Sequence, residues 1–241
     1  MSAVELNEQQ MIERLQEQKA AFKESPCISR ELRRVNLLKL EKILRENQSE
    51  ICEAIAKDFG HRSSTETALL EIFSSIDGII DARKQLKKWM RPKQRHTSVW
   101  FWPAKNKVVP QPLGVVGIIV PWNYPLYLAV GPMTAALAAG NRVMVKMSEN
   151  STHLCQALAQ AFSSAFTEDE VCFISETGST GQAFSKLPFR PSYLYWFRCD
   201  GPQGYGCGSR KSNTGDLRGA GTENRQPSSH QITIVKKALK R

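Results

Sequence analysis

Apolar residues recur at helical spacing through the first ninety positions. Ile12, Leu15 and Phe22 form one stripe, which predicts a helix from about Asn7 to Lys23. Ser29 suits the N-cap of a second helix, in which Leu37, Leu40 and Leu44 recur on one face. A shorter helix follows Ser49 and stops near Gly60, a residue that tolerates the left-handed backbone of a helix end. Ser63 with Glu66 has the spacing of a capping box for a fourth helix. That helix carries Leu69, Ile72, Ile76 and Ile79 on one face and ends before Pro92. Taken alone, four amphipathic helices in a row fit a free-standing bundle.

Beyond them the pattern changes to short β-branched and aromatic runs. Val99 to Trp102 and Lys107 to Val109 flank Pro103-Ala104-Lys105-Asn106, which predicts a hairpin. Two exposed strands are marginal in water, so this hairpin either pairs with other strands or folds its aromatic residues onto the helices. Val115 to Val120 has the continuous apolar character of a strand buried on both faces. Leu126 to Ala139 is small and apolar throughout, which predicts a buried helix closed by Gly140-Asn141. Arg142 to Lys146 reads as a strand, Ser151 to Ala165 as a helix and Val171 to Ile174 as a further strand. This alternation predicts an α/β fold beginning as a parallel, right-handed βαβ sheet.

Candidate chemistry concentrates between Gln111 and Pro125. Pro121 and Pro125 fix their own φ angles and push Val120 and Tyr124 towards extended backbone, so the tip between them has little freedom. Such a tip at the carboxyl end of a strand can hold the Asn123 amide where an oxyanion develops. It is equally the pattern of a Pro-bounded loop whose Asn caps a turn. Lys146 and Glu149 follow the next strand, where an ammonium and a carboxylate suit an adenosine ribose or form a solvated surface pair. No GxGxxG is present, and Gly178 with Gly181 is only a weak phosphate-loop pattern.

The net charge of +10 invites a polyanion-binding reading, but its distribution argues against one. Residues 1–189 carry 23 Lys/Arg against 20 Asp/Glu, whereas residues 190–241 carry 10 against 3. The basic excess therefore belongs mainly to the last fifth of the chain. Tyr193, Tyr195, Trp196 and Phe197 lie near arginines there, without a recognisable nucleic-acid motif. No apolar run reaches the length of a membrane span, and the N-terminus lacks a secretory apolar region, so a cytosolic protein is expected. Cys27, Cys52, Cys155, Cys172, Cys199 and Cys207 show no CxxC or Cys/His ligand spacing, which argues against disulfide frameworks and zinc. The first four read as small apolar residues of helices and strands.

Pro112-Leu113-Gly114-Val115-Val116-Gly117, then Pro121-Trp122-Asn123-Tyr124-Pro125, then Gly140 to Glu149 resemble, in order and spacing, the NAD(P)-dependent aldehyde dehydrogenases. The variant is similar to the coniferyl and fatty-aldehyde branch. The resemblance runs from the N-terminal helices to Phe189. It implies a partial aldehyde dehydrogenase fold, with residues 1–97 the helical part of the cofactor-binding domain and 98–111 a β-hairpin oligomerisation arm. Residues 112–189 become part of a Rossmann-like NAD(P)-binding region, and the first helices become the layer flanking its sheet. It also implies Asn123 in an oxyanion hole, with Ile119, Val120, Pro121, Trp122, Lys146, Ser148 and Glu149 at the cofactor. Met147 stands where the family commonly has proline. The implied partners are an aldehyde and further copies of the chain.

After Phe189 the resemblance stops. The family continues with Asp-His-Leu, a Phe-Thr-Gly-Ser turn and a Glu-Leu-Gly-Gly-Lys segment carrying the general base, and much later supplies the nucleophilic cysteine. Here the chain reads Arg190-Pro191-Ser192-Tyr193-Leu194-Tyr195-Trp196-Phe197. Permitted codons for those residues, read one base later, spell Asp-His-Leu-Ile-Phe-Thr-Gly. A family-like run continues through Leu217 in the same displaced frame. Residues 190–241 are therefore expected to be an out-of-frame, unpacked tail, and no cysteine matches the nucleophile. Two readings compete: an aldehyde dehydrogenase by lineage, and a non-catalytic remnant that at most binds nucleotide or a subunit.

Overall fold

The computed structural model describes residues 5–176, 178 and 180–189. The expectation for residues 190–241 lies outside them. Three parallel strands, β3 (Val115–Ile119), β4 (Arg142–Lys146) and β5 (Val171–Ile174), lie side by side in sequence order. Helices α6 (Pro125–Ala139) and α7 (Thr152–Ser163) make the two crossovers. The expected βαβ sheet is present.

Side-chain alternation divides the sheet into two faces. Ile118, Val143, Val145, Val171 and Phe173 point into the larger core with α6 and α7. Val115, Met144, Cys172 and Ile174 point the other way, onto Met11 and Leu15 of α1 (Glu8–Glu24) and Phe184 of α8 (Thr180–Lys186). Met11, Leu15 and Gln18 form the buried line of α1, while Ile12 and Phe22 are only half-buried. Gly117 is the one gap on this second face. A Cβ there would stand 2.6 Å from the ring of Phe189, which packs where that side chain would be.

Helices α2 (Arg30–Glu46), α3 (Gln48–Phe59) and α5 (Ser74–Met90) form a further layer, α2 and α5 against α6 and α3 against α7. The helices therefore flank the sheet as expected, but mostly at one remove. Leu37, Leu40 and Leu44 are fully buried, and Gly60 ends α3 with a φ of 74°. Asn141 ties the two sequence motifs together, its Oδ1 accepting from Leu113 N–H at 2.6 Å and Gly114 N–H at 3.0 Å.

Three local expectations are corrected. Ser63 does cap α4 (Ser64–Glu66), but its hydroxyl accepts from Thr65 N–H, and Glu66 turns instead to Arg62. Between α4 and α5 the helix widens into a π segment, Thr67–Phe73. The wider turn changes the angular spacing, leaving Leu69 60 % exposed and turning Thr67, Glu71 and Ile72 inward. The hairpin pairs β1 (Lys93–Arg95) with β2 (Asn106–Val108), so the arm begins before residue 98. Val99–Phe101 is a 3₁₀ turn at its tip, and Trp100 is 89 % exposed. High β propensity alone does not make a strand where no partner or core rewards it. No helix among the described residues is long and apolar enough to cross a membrane.

Candidate functional site

The parallel register brings Ile119, Lys146 and Ile174 into one row at the carboxyl edge of the sheet. Val120 N–H donates to Lys146 C=O at 2.9 Å, and Met147 N–H donates to Ile174 C=O at 2.9 Å, so pairing continues to the last residue of each strand. Ligand crevices in open α/β sheets form at this edge. Here it carries all of the sequence-derived candidates.

Five of them are Ile119, the last residue of β3, and the four residues of the loop that follows it, Val120 to Asn123. Ile119 and Pro121 are half-buried, Trp122 is 52 % exposed, and Asn123 is exposed. Val120 differs: its side chain is 2 % exposed and sits in the core behind the sheet edge, so it offers a ligand backbone only. Pro125 opens α6 at its first position, where a missing N–H costs nothing.

Arg62 and Glu71 hold this loop, and neither was among the sequence-derived candidates. The guanidinium of Arg62 donates to Glu71 Oε1 at 2.9 Å and to Asn123 C=O at 2.9 Å. It lies over the rings of Phe59, at 4.0 Å, and Tyr124, at 4.9 Å. The second carboxylate oxygen of Glu71 accepts from Leu126 N–H at 2.8 Å and Tyr127 N–H at 3.1 Å. Tyr124 makes no side-chain cap, so Glu71 caps α6 from another element. Burial pushes the Glu71 carboxyl above the usual carboxylate range, opposed by the Tyr127 N–H, the Arg62 charge and the Leu126 N–H. The one sequence signal was a lone carboxylate inside the apolar run Ala68-Leu69-Leu70-Glu71-Ile72-Phe73.

Asp58 of α3 caps α7 in the same manner. Its carboxylate accepts from His153 N–H and Leu154 N–H, each at 2.9 Å, and meets His153 Nδ1 at 2.8 Å. Both crossover helices thus have their N-terminal N–H groups occupied by carboxylates of the outer layer. Neither presents the open helix terminus that a GxGxxG loop offers a pyrophosphate. The absence of that motif has a structural counterpart.

Lys146 points to the α1/α8 side of the sheet, is 8 % exposed, and forms an ion pair with Glu176. Gly181 N–H donates to Glu176 at 3.3 Å. A Cβ on Gly181 would lie 3.0 Å from Glu176 Oε2 and 3.1 Å from Lys146 Nζ. A side chain there would crowd the pair, so glycine lets the backbone approach it closely. Met147 is buried, Ser148 half-buried and Glu149 exposed at the start of the next turn. The donor set, one ammonium with carboxylates after β4 and β5 and an exposed indole on the loop after the neighbouring strand β3, fits a hydroxylated nucleoside.

Three of the four described cysteines are buried, as small apolar residues should be, on α3, α7 and β5. Cys27 instead lies exposed between α1 and α2. Burial pushes the thiols of Cys155 and Cys172 up to about 12. A thiol held protonated in this way is no nucleophile.

The sequence model of the aldehyde dehydrogenase family matches residues 2–188. A probable coniferyl aldehyde dehydrogenase of Pseudomonas aeruginosa is 48 % identical over 172 residues, covering 71 % of this chain and 36 % of the relative. The coniferyl aldehyde dehydrogenase of Pseudomonas sp. strain HR199 is 39 % identical, covering 71 % of this chain and 35 % of the relative. Among solved structures, the substrate-bound state of Staphylococcus aureus AldH superposes with a TM-score of 0.70 at 29 % identity, covering 74 % of this chain and 39 % of that one. The chain thus spans about a third of the length of the curated relatives it matches. A family match over most of the chain, with the same strand–helix framework, makes the conclusion direct: this chain belongs to the aldehyde dehydrogenase family.

Proposed function

We propose that residues 5–189 form the adenosine half-site and the oxyanion loop of an NAD(P)-dependent aldehyde dehydrogenase. The observation that carries this reading is the alignment of Ile119, Lys146 and Ile174 at one sheet edge, with the Asn123 loop following β3 at that edge. Lys146, Ser148 and Glu149 would hold the adenosine ribose, and Ile119, Pro121, Trp122 and the Val120 backbone would line the cleft. NAD(P), when bound, supplies the two-electron acceptor for aldehyde oxidation. Where a nucleophile adds to the aldehyde, the Asn123 side-chain amide would donate to the carbonyl oxygen that becomes negative. Arg62 and Glu71 keep that loop in place, so little reorganisation accompanies the charge. The relatives favour an aromatic aldehyde of the coniferyl type, oxidised to the acid. The β1–β2 arm would pair with a second copy of the chain, and the cytosol is the compartment that suits it.

This chain supplies neither the thiolate nor the general base within residues 5–189. Its exposed Cys27 lies between α1 and α2, far in sequence from the Asn123 loop. We therefore read it as a non-catalytic member of an enzyme lineage. The displaced-frame run from Arg190 favours a slipped reading frame as the cause. Sequencing the coding DNA tests that: an indel between the codons for Phe189 and Arg190 is expected. Stop codons or unrelated residues in the displaced frame would remove the explanation. An assay for NAD(P)H formation from aromatic and medium-chain aldehydes tests the absence of turnover, with Asn123→Ala excluding a contaminant. Turnover that disappears in the variant would make this chain an enzyme.

A further inference from the structure

The buried carboxylate beside Lys146 has a consequence for cofactor choice. Glu176 follows β5, was not a candidate from sequence, and faces the Lys146 ammonium at the sheet edge. Its side chain is 7 % exposed and that of Lys146 10 %, so the pair is largely shielded from solvent. Gly181 N–H bonds to the Glu176 carboxylate, and a Cβ at Gly181 would press on the pair, 3.0 Å from Glu176 Oε2. The carboxylate is thus held by two partners from different elements.

We propose that Glu176 makes this site selective for an adenosine ribose with a free 2′-hydroxyl, and so for NAD over NADP. The inference rests on the adenosine half-site reading given above. A lysine alone at this edge serves either cofactor: it donates to ribose hydroxyls and attracts a 2′-phosphate. Pairing with Glu176 cancels its charge, and the exposed Glu149 three residues after Lys146 adds a second negative group. A ribose 2′,3′-diol carries two O–H donors and is served by carboxylate acceptors. A 2′-phosphate carries close to two negative charges and only acceptor oxygens. It meets two carboxylates and an ammonium already engaged, a like-charge juxtaposition that costs well over tenfold in affinity in a shielded site. To bind NADP, Lys146 has to leave Glu176 buried without its cation.

The test uses the full 241-residue chain and the two adenosine halves themselves, 5′-AMP and 2′,5′-ADP, titrated calorimetrically. The wild-type chain is expected to bind 5′-AMP at least about tenfold more tightly than 2′,5′-ADP. Glu176→Gln keeps the size and the Gly181 contact, removes the charge and frees Lys146. It is expected to narrow the ratio at least about threefold, chiefly by tightening 2′,5′-ADP. Equal or tighter binding of 2′,5′-ADP by the wild-type chain overturns the proposal without any variant. So does an unchanged ratio in a Glu176→Gln protein with wild-type circular dichroism. If neither nucleotide binds, the adenosine half-site reading itself fails and takes the proposal with it. Binding of both in a ratio near one leaves the half-site standing and removes only the role of Glu176.

Discussion

Arg62 joins Glu71 to the Asn123 loop: one guanidinium nitrogen lies 2.9 Å from the Glu71 carboxylate and another 2.9 Å from the Asn123 carbonyl. Glu71 reaches this position because the π segment Thr67–Phe73 turns it inward, where it also caps α6. A widened helical turn in the outer layer is thereby linked to the geometry of the loop carrying the oxyanion candidate.

Glu71→Ala leaves a largely buried guanidinium with only the more distant Glu66 carboxylate, and two helix N–H groups without an acceptor. The expected loss is about 3 kcal/mol in urea unfolding. A loss below about 1 kcal/mol would show that Arg62 and α6 find other partners.

Glu71 also predicts a pH dependence of definite sign. Its carboxyl pKa is raised in the folded chain, so the native state holds that proton more tightly than the unfolded chain does. Its contribution is fully present below the unfolded value of 4.5 and is lost as pH rises through the raised folded value. The stability of wild type relative to Glu71→Gln should therefore grow as pH falls from neutrality towards about 4.5. A difference that shrinks over that window contradicts the assignment.

Gly117 and Phe189 should behave as a coupled pair. A Cβ at position 117 would lie 2.6 Å from the Phe189 ring, so Gly117→Ala displaces it and should cost about 1–3 kcal/mol. In a Phe189→Ala background the same substitution should cost at least 1 kcal/mol less, by a double-mutant cycle. Additive losses would mean that Phe189 does not occupy the Gly117 notch.

Much of this architecture was legible in the chain itself. Short apolar runs rich in valine and isoleucine defined β3, β4 and β5 almost to the residue, because strands buried on both faces leave little alternative. Ser29 and Gly60 marked helix ends because capping is local chemistry. The hairpin was misplaced because aromatic content marks β propensity, whereas pairing is decided by a partner: Lys93 faces Val108 across the ladder, and Val99–Phe101 has no strand opposite. Arg62, Glu71 and Glu176 stayed hidden for a related reason. Their roles come from contacts made across distant parts of the chain or across a loop, and charge carries no periodic signature.

Cysteine chemistry gives a further check. With thiols pushed up to about 12, Cys155 and Cys172 hold on the order of one thiolate in ten thousand at pH 8. Cys52 is buried with its thiol also raised by burial, whereas Cys27 is exposed. Iodoacetamide on the native chain, followed by peptide mapping, should label Cys27 and spare Cys52, Cys155 and Cys172. Labelling of Cys155 or Cys172 at the Cys27 rate would reveal a reactive thiol inside the fold.

The central claim is that the sheet edge bearing Lys146 is an adenosine site. Saturation-transfer difference NMR of the purified chain with NAD+ tests it most directly. The account predicts enhancement of the adenine and adenosine-ribose protons over those of nicotinamide, because residues 5–189 supply only the first half of the site. Lys146→Ala, in a chain that keeps its native circular dichroism, should abolish the enhancement. No transfer to NAD+, or an undiminished signal in the folded Lys146→Ala chain, would contradict the account.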